Sequence, residues 1–448
     1  MTAQNKDFHG LLPSIKEIRA KEFPNLDKLG RVYLDNGATT QVPKSVIDRM
    51  YVYRTNHLRG SNHSENSDEA REYQVRYEEA KQKISGFFSA SNYYIALTSG
   101  ATAASNLLGS RFNFEPGDLL LITDMEHNSQ VLTARNYAKK AVADVKYIPV
   151  RLPDGRLDLD TLRKIAAENK ASLHRRRQTG KILLMLAHVS NVTGVINPVK
   201  EIREILPDNA LIYLDMAQSA GHIPINLDEL SVDFAGVSAH KMYGSMGMGA
   251  LFVKKESDKY LGNEISGGSA VKLVGKVETA YEESPARFEP GTQNLEGVIE
   301  WGLVIDFLNK IGMDAIKRHD RAMGEYFLGE ILKINGVEVY GPKDFDERIA
   351  VITFNIGLSA TNYEETARKL NKLGVSVRDG CFCAHLLLPQ LLGVSQEEHN
   401  SKIKELQDGA DFDSLGVKGA LRATFAFYNT LKDAEKGIAA IREVAKEA

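Results

Sequence analysis

Two short stretches hold residues that become chemically interesting in each other's company. The apolar run Leu211-Ile-Tyr-Leu ends in Asp215-Met-Ala-Gln218, and 26 positions beyond that aspartate another apolar run ends in Ser238-Ala239-His240-Lys241. A carboxylate at a strand's C-terminal end sits where open α/β sheets bind their ligands. A lysine at the end of a second strand offers an amine for a Schiff base. Taken singly each is ordinary: a strand-end Asp commonly caps a helix, and Ser-x-His-Lys commonly lies on a surface. Their combination shifts the reading toward a site.

A lysine, a carboxylate that keeps a ring nitrogen protonated, and donors for a phosphate are the requirements of pyridoxal 5'-phosphate. Leu97-Thr98-Ser99-Gly100-Ala101-Thr102-Ala103 reads as a strand passing through glycine into a helix. The first N–H groups of such a helix hold a phosphate, with Thr102 adding a hydroxyl, although a plain capped turn has the same sequence. Asp124-Met-Glu126-His127-Asn128-Ser129 follows another apolar run, and His127 there either stacks on a cofactor ring or is a satisfied structural residue. The only cysteines, Cys381 and Cys383, stand two positions apart, a spacing unsuited to an unstrained disulfide, so both are expected as thiols in a reducing compartment. A metal site on Cys381, Cys383 and His385 would lack a fourth ligand, so no metal is expected.

Holding these groups together calls for strands alternating with helices. Apolar runs rich in β-branched residues at 94–98, 119–123, 182–189, 211–214 and 234–237 alternate with helical patterns, as in an α/β domain with a largely parallel sheet. Past about residue 295 the pattern changes. Residues 296–311 carry Val298, Trp301, Leu303, Val304, Phe307 and Leu308 on a helical period, as a long connecting helix would. A strand at 349–356, a helix at 363–373 and a strand at 375–378 then suggest a smaller α+β domain. The organisation expected is an N-terminal segment 1–29 packing on the small domain through Ile15, Ile18 and Phe23, a large domain 30–295 and a small domain 296–448. The polar stretch 395–416 reads as an inserted surface segment or lid.

The 448 residues are 43% hydrophobic and 26% charged, and 56 basic against 59 acidic side chains leave a formal charge of −3. Intrinsic disorder and a small disulfide scaffold are excluded. The balance gives no electrostatic reason to expect nucleic acid or an anionic membrane as partner. The basic run His174-Arg175-Arg176-Arg177 is short enough to be a solvated loop, the alternative being a dock for an acidic partner. With no long apolar core near the start and no run of about 18 apolar residues, a cytoplasmic protein is expected.

Beyond these separate readings, the chain resembles class V, fold-type I pyridoxal-phosphate enzymes, and most closely the type II cysteine desulfurases and selenocysteine lyases. The resemblance spans nearly the whole chain. It is carried by Tyr33-Leu-Asp-Asn-Gly-Ala-Thr39, Glu126-His127-Asn128-Ser129, Ser190-Asn191-Val-Thr-Gly194, Asp215-x-x-Gln218, Ser238-x-His240-Lys241, Arg287-Phe-Glu-Pro-Gly291-Thr292-Gln-Asn294, Arg378-Asp-Gly380-Cys-Phe-Cys383 and Arg422-Ala-Thr-Phe-Ala-Phe-Tyr428-Asn429-Thr430.

The resemblance implies a large domain with a mainly parallel seven-stranded sheet and a smaller α+β domain. Lys241 would form the Schiff base and move protons at the substrate Cα, Asp215 would pair with the ring nitrogen, and His127 would stack on the ring. Gln218 and Asn191 would contact the ring oxygen. Thr102, Ser238 and His240 would hold the phosphate, and Thr292 would reach it from a neighbouring subunit, implying a homodimer. Arg422, supported by Arg378, would grip the substrate carboxylate. Cys383 would attack the substrate sulfur as a thiolate, leaving alanine and an enzyme persulfide for an acceptor protein or thiol. Cys381 would either relay the persulfide or be a small apolar residue.

The sequence departs from the family pattern in places. Gly37 stands where many relatives carry Ala, and Ala101 replaces a hydroxyl before Thr102. Arg59-Gly60-Ser-Asn-His63 matches an Arg-Gly-x-His segment only loosely, so His63 receives no role. Cys383 and Arg422 are 39 positions apart, and the extra segment 386–418 reshapes either the substrate entrance or an acceptor-docking surface. The same fold hosts aminotransferases, epimerases and C–S lyases, in which Cys383 would be dispensable.

Overall fold

The computed structural model describes residues 10–447 apart from 13, 59, 61–65, 177–179, 263–266 and 358–359. His63 and Arg177 lie outside the described residues. Its centre is a seven-stranded sheet in the order Tyr93–Thr98, Gly249–Lys254, Phe234–Ser238, Ala210–Asp215, Ile182–Ala187, Leu119–Thr123, Asp144–Ile148. Gly249–Lys254 runs antiparallel to both its neighbours, and the other six strands point one way. Thr98, Thr123, Ala187, Asp215 and Ser238 therefore end on a common edge.

Why these strands read as continuous apolar runs follows from their two-faced burial. Alternate side chains point to opposite faces. Leu119, Leu121, Leu184, Ile212 and Leu214 enter one core, while Leu120, Ile122, Leu183, Leu211 and Tyr213 enter the other. Helix Leu295–Ile311, one residue longer than the period predicts, buries Trp301, Val304 and Leu308 in the first of these.

The second sheet is antiparallel, in the order Val337–Tyr340, Val351–Ile356, Ala420–Thr424, Arg378–Gly380. Helices Met313–Ile331 and Leu431–Ala445 bury Phe327, Ile331, Ile438 and Ile441 against Ile352, Phe354 and Phe425. Two strand expectations shift here for identifiable reasons. The run 349–356 enters the sheet only at Val351, because Ile349 donates its N–H to the Gly194 carbonyl (2.9 Å) and so stitches the small sheet to a loop of the large one. The run 375–378 divides. Val375–Ser376 pairs with Val32–Tyr33, while Arg378–Gly380 turns to pair with Ala420–Thr424.

Helix Ile15–Glu22 brings in Arg19, which is buried. Its guanidinium donates to the Tyr428 carbonyl (3.1 Å) and to the Asp433 carboxylate. Phe23 meets Phe307, Phe427 and Tyr428 at ring separations of 6.3, 5.8 and 4.6 Å. Within the polar stretch, helix Gln396–Gln407 starts on a Ser395 cap and buries none of its residues. Among the described residues no helix is long and apolar enough to cross a membrane.

Candidate active site

The common strand edge opens into a cavity of about 220 Å³. Of the residues picked out from sequence, Thr102, His127, Asn191, Asp215, Gln218, Ser238, His240 and Lys241 all line it. Two are set apart. Thr292 is exposed ahead of helix Leu295–Ile311 and does not line the cavity of its own chain, and the Arg378 side chain is 51% exposed on an edge strand.

Each wall has a structural cause. The Ala210–Asp215 strand delivers Asp215 buried, with Oδ1 accepting from the Ala217 N–H (2.9 Å) and Oδ2 from Gln130 Nε2 (3.1 Å). Burial raises its pKa, against the pull of Ala217, Lys241 and Gln130. A carboxylate so placed favours a cation alongside it, as a protonated ring nitrogen would be. Lys241 ends a short 3₁₀ turn, Ala239–Lys241, directly after strand Phe234–Ser238. Burial lowers its ammonium pKa, opposed by Asp215, which brings the amine nearer its nucleophilic form.

At the phosphate end, Gly100 adopts φ +147°, a conformation glycine takes without penalty, and turns the chain from strand into helix Ala101–Arg111. Ser238 Oγ accepts the Ala101 N–H at 2.8 Å, leaving its own hydroxyl hydrogen to donate. The helix terminus, Ser238 and Thr102 make an anion cradle. His240 lies beside it with Nδ1 3.2 Å from Thr39 Oγ1, and burial pushes its pKa down to about 4.

His127 precedes helix Asn128–Lys140, and its Nδ1 accepts the Ser129 N–H (3.1 Å) and meets Ser129 Oγ (2.8 Å). That fixes the ring and leaves the proton on Nε2. Burial, reinforced by Lys241, lowers its pKa to about 4, so the ring is neutral at physiological pH. Gln218 Nε2 donates to the Gly37 carbonyl (2.8 Å), and Asn191 Nδ2 donates to the Phe382 carbonyl (2.7 Å) while its Oδ1 is buried without a hydrogen-bond partner. The small side chains Ala187, Val189 and Ala217 leave the space between these groups open. An acidic end, an anion cradle, an amine and a ring-sized gap fit pyridoxal 5'-phosphate.

Above the cavity, Arg422 on strand Ala420–Thr424 is buried, with Nη1 donating to the Asn191 carbonyl (2.8 Å) and its guanidinium 5.0 Å from the Phe382 ring centroid. Burial brings its pKa down to about 10, still cationic at neutral pH. Cys383 is exposed, and both it and Phe382 adopt left-handed backbone at φ +53° and +54°, rare for residues with a Cβ. The Cys383 carbonyl accepts the Asn128 N–H at 2.6 Å, tying the cysteine loop to the helix that follows His127. Cys381 differs: burial raises its thiol pKa, and Sγ lies 3.8 Å from the Lys418 carbonyl. Among the described residues no three His, Cys, Asp or Glu side chains are grouped to hold a metal ion.

Several site neighbours received no role in the sequence reading. Gln130, which braces Asp215, lies three positions after His127 and so one helical turn along, a spacing that could have flagged it. Glu126 is buried, accepts from Thr123 Oγ1 (2.6 Å) and the Ala187 N–H (2.8 Å), and is pushed by burial up to about 8. Phe382 and Asp35 reach Arg422 only through the fold.

A mainly parallel sheet with lysine, carboxylate and anion cradle on its C-terminal edge is the arrangement of fold type I. The chain matches the aminotransferase class-V family over residues 32–436 and belongs to it. It is 29% identical over 420 residues to a cysteine desulfurase of Haloferax volcanii, covering 92% of this chain and 88% of that one. It is 33% identical over 444 residues to a probable cysteine desulfurase of Halalkalibacterium halodurans, covering 94% and 97%. Its fold superposes on the apo structure of a cysteine desulfurase from Thermococcus onnurineus with a TM-score of 0.82 at 26% identity, covering 97% and 98%.

Proposed function

We propose that this chain is a pyridoxal-phosphate-dependent cysteine desulfurase, converting L-cysteine or selenocysteine to L-alanine and leaving the released sulfur or selenium on Cys383. The observation that carries this is the exposed Cys383, on a loop tied through its carbonyl to the N–H of Asn128, the residue after cavity-lining His127.

Lys241 would hold the cofactor and carry the proton to and from the substrate Cα. Asp215, braced by Gln130, keeps the ring nitrogen protonated. The neutral His127 ring would stack on the cofactor, with Gln218 and Asn191 as the groups for its ring oxygen. Thr102, Ser238 and His240 hold the phosphate, and Thr292 of a second copy completes that shell in a homodimer. When bound, the cofactor supplies an electron sink for the pair left at Cα. Arg422 fixes the substrate carboxylate, with Arg378 adding charge. The Cys383 thiolate then attacks the substrate sulfur: a new S–S bond forms, the Cβ–S bond breaks, and its electron pair passes to the carbon side, where protonation gives alanine. The persulfide waits on an exposed residue for an acceptor protein or thiol, a setting consistent with a reducing cytoplasm.

The test is mass spectrometry of the amino-acid product from L-cysteine with a reductant, for the native protein and Cys383→Ala. Alanine from the native enzyme alone supports the proposal. No alanine, or equal alanine from the variant, removes it in favour of another class V reaction.

A further inference from the structure

The Arg422 guanidinium carries an unusual companion. Asp35, two residues beyond strand Val32–Tyr33 and bridged to Thr424, places Oδ1 3.6 Å from Arg422 Nη2 and Oδ2 4.0 Å from Arg378 Nη1. Both separations are ion-pair distances too long for hydrogen bonds. Asp35 Oδ1 and Arg422 Nε are each buried without a hydrogen-bond partner among the described residues. What orients Arg422 is elsewhere: the Asn191 carbonyl and the Phe382 ring. Gly37 adds a close backbone approach, since a Cβ there would lie 3.0 Å from Arg422 Nη2.

Asp35 thus compensates charge without occupying the donors. A guanidinium has five N–H groups in a fixed fork, and Arg422 commits Nη1 while Nε and Nη2 have no hydrogen bond to Asp35. Two arginines and one aspartate leave that trio one positive charge, and Asp379, next to Arg378 on its strand, is a further carboxylate acting on Asp35.

We propose that Asp35 is the resident counter-ion of the substrate-carboxylate site, a specificity-determining residue that sets how tightly the α-carboxylate of amino-acid substrate and product is held. This rests on reading Arg422 as the carboxylate-binding arginine. An aspartate that instead oriented Arg422 would show the opposite sign when its charge is removed.

The experiment is calorimetric titration of L-alanine into the holoenzyme for Asp35→Asn, Arg378→Gln, the double variant and Arg422→Ala. Counting charge, the trio goes from one positive charge to two, to zero, and back to one in the double variant. Asp35→Asn is expected to bind L-alanine about tenfold more tightly than wild type, Arg378→Gln several-fold more weakly, and the double variant about as wild type. Weaker binding by Asp35→Asn, or a double variant weaker than either single one, overturns the proposal with the Arg422 reading intact. Unchanged binding by Arg422→Ala overturns both. Should Asp35→Asn fail to fold, Asp35→Glu and Arg378→Gln carry the test: the first, keeping the charge, binds as wild type and the second more weakly, and equal binding by Arg378→Gln and wild type overturns the proposal.

Discussion

The floor and the rim of the cavity are built on different terms. On the floor, Asp215, Ser238 and His127 each sit at the end of a buried strand or the start of a helix, with side-chain atoms tied at 2.8 to 3.1 Å. On the rim, Cys383 is exposed on left-handed backbone, and Arg378 lies half in solvent on an edge strand. Cofactor chemistry demands fixed geometry and low dielectric, whereas a sulfur that must leave the enzyme demands access. On the function proposed above, the difference places rigidity where protons and electrons would move and exposure where the sulfur would be handed on.

If that division holds, changes on the floor should remove cofactor and activity together, and changes on the rim activity alone. Lys241→Ala is expected to abolish the absorbance of the bound cofactor and reduce turnover at least about 1,000-fold. Cys383→Ala should lose alanine formation to a similar extent with cofactor content unchanged, read from the visible spectrum of the purified protein. Arg422→Ala removes a charge-assisted pair and should raise KM for L-cysteine about 10- to 100-fold with smaller loss of kcat. Gly37→Ala is a subtler probe. Its Cβ would press on Arg422 Nη2 at 3.0 Å and Thr424 Oγ1 at 2.9 Å, so KM should rise several-fold while cofactor content stays constant.

Acid tests the floor in another way. His127 and His240 have folded pKa values near 4 against an ordinary 6.5, each first because of burial. As pH falls the unfolded chain takes up these protons first, so the stability they contribute is full above 6.5 and drains away toward 4. Glu126, raised by burial from 4.5 to about 8, runs opposite: its contribution is full below 4.5 and is lost as pH rises through 8. Urea unfolding from pH 4 to 9 should therefore show Glu126→Gln gaining on wild type toward the alkaline end, the smallest effect of this series.

Much of the floor was legible in the sequence because strand ends deliver it. Asp215 and Lys241 each terminate an apolar run, and the direction of a parallel strand alone places both on one edge. Gly100 and Thr102 could be read because strand, glycine and helix start are contiguous. What was not legible depends on contacts far apart in the chain. Asp35 meets Arg422 through a bridge to Thr424, and Phe382 meets the same guanidinium from a third element. The divided run at 375–378 is a similar case, since each half follows a different distant partner. The direction of strand Gly249–Lys254, antiparallel to both neighbours, is set by pairing in the sheet rather than by its own residues.

The long path from Cys383 to Arg422 leaves and returns at a single rung, for Gly380 is the pairing partner of Ala420. Whatever length the chain takes between them, the two ends stay stapled side by side, and added loop costs only about 0.6 kcal/mol per doubling. The excursion is a module on a fixed mount, so its length can change without moving the Gly380–Ala420 pair beneath it.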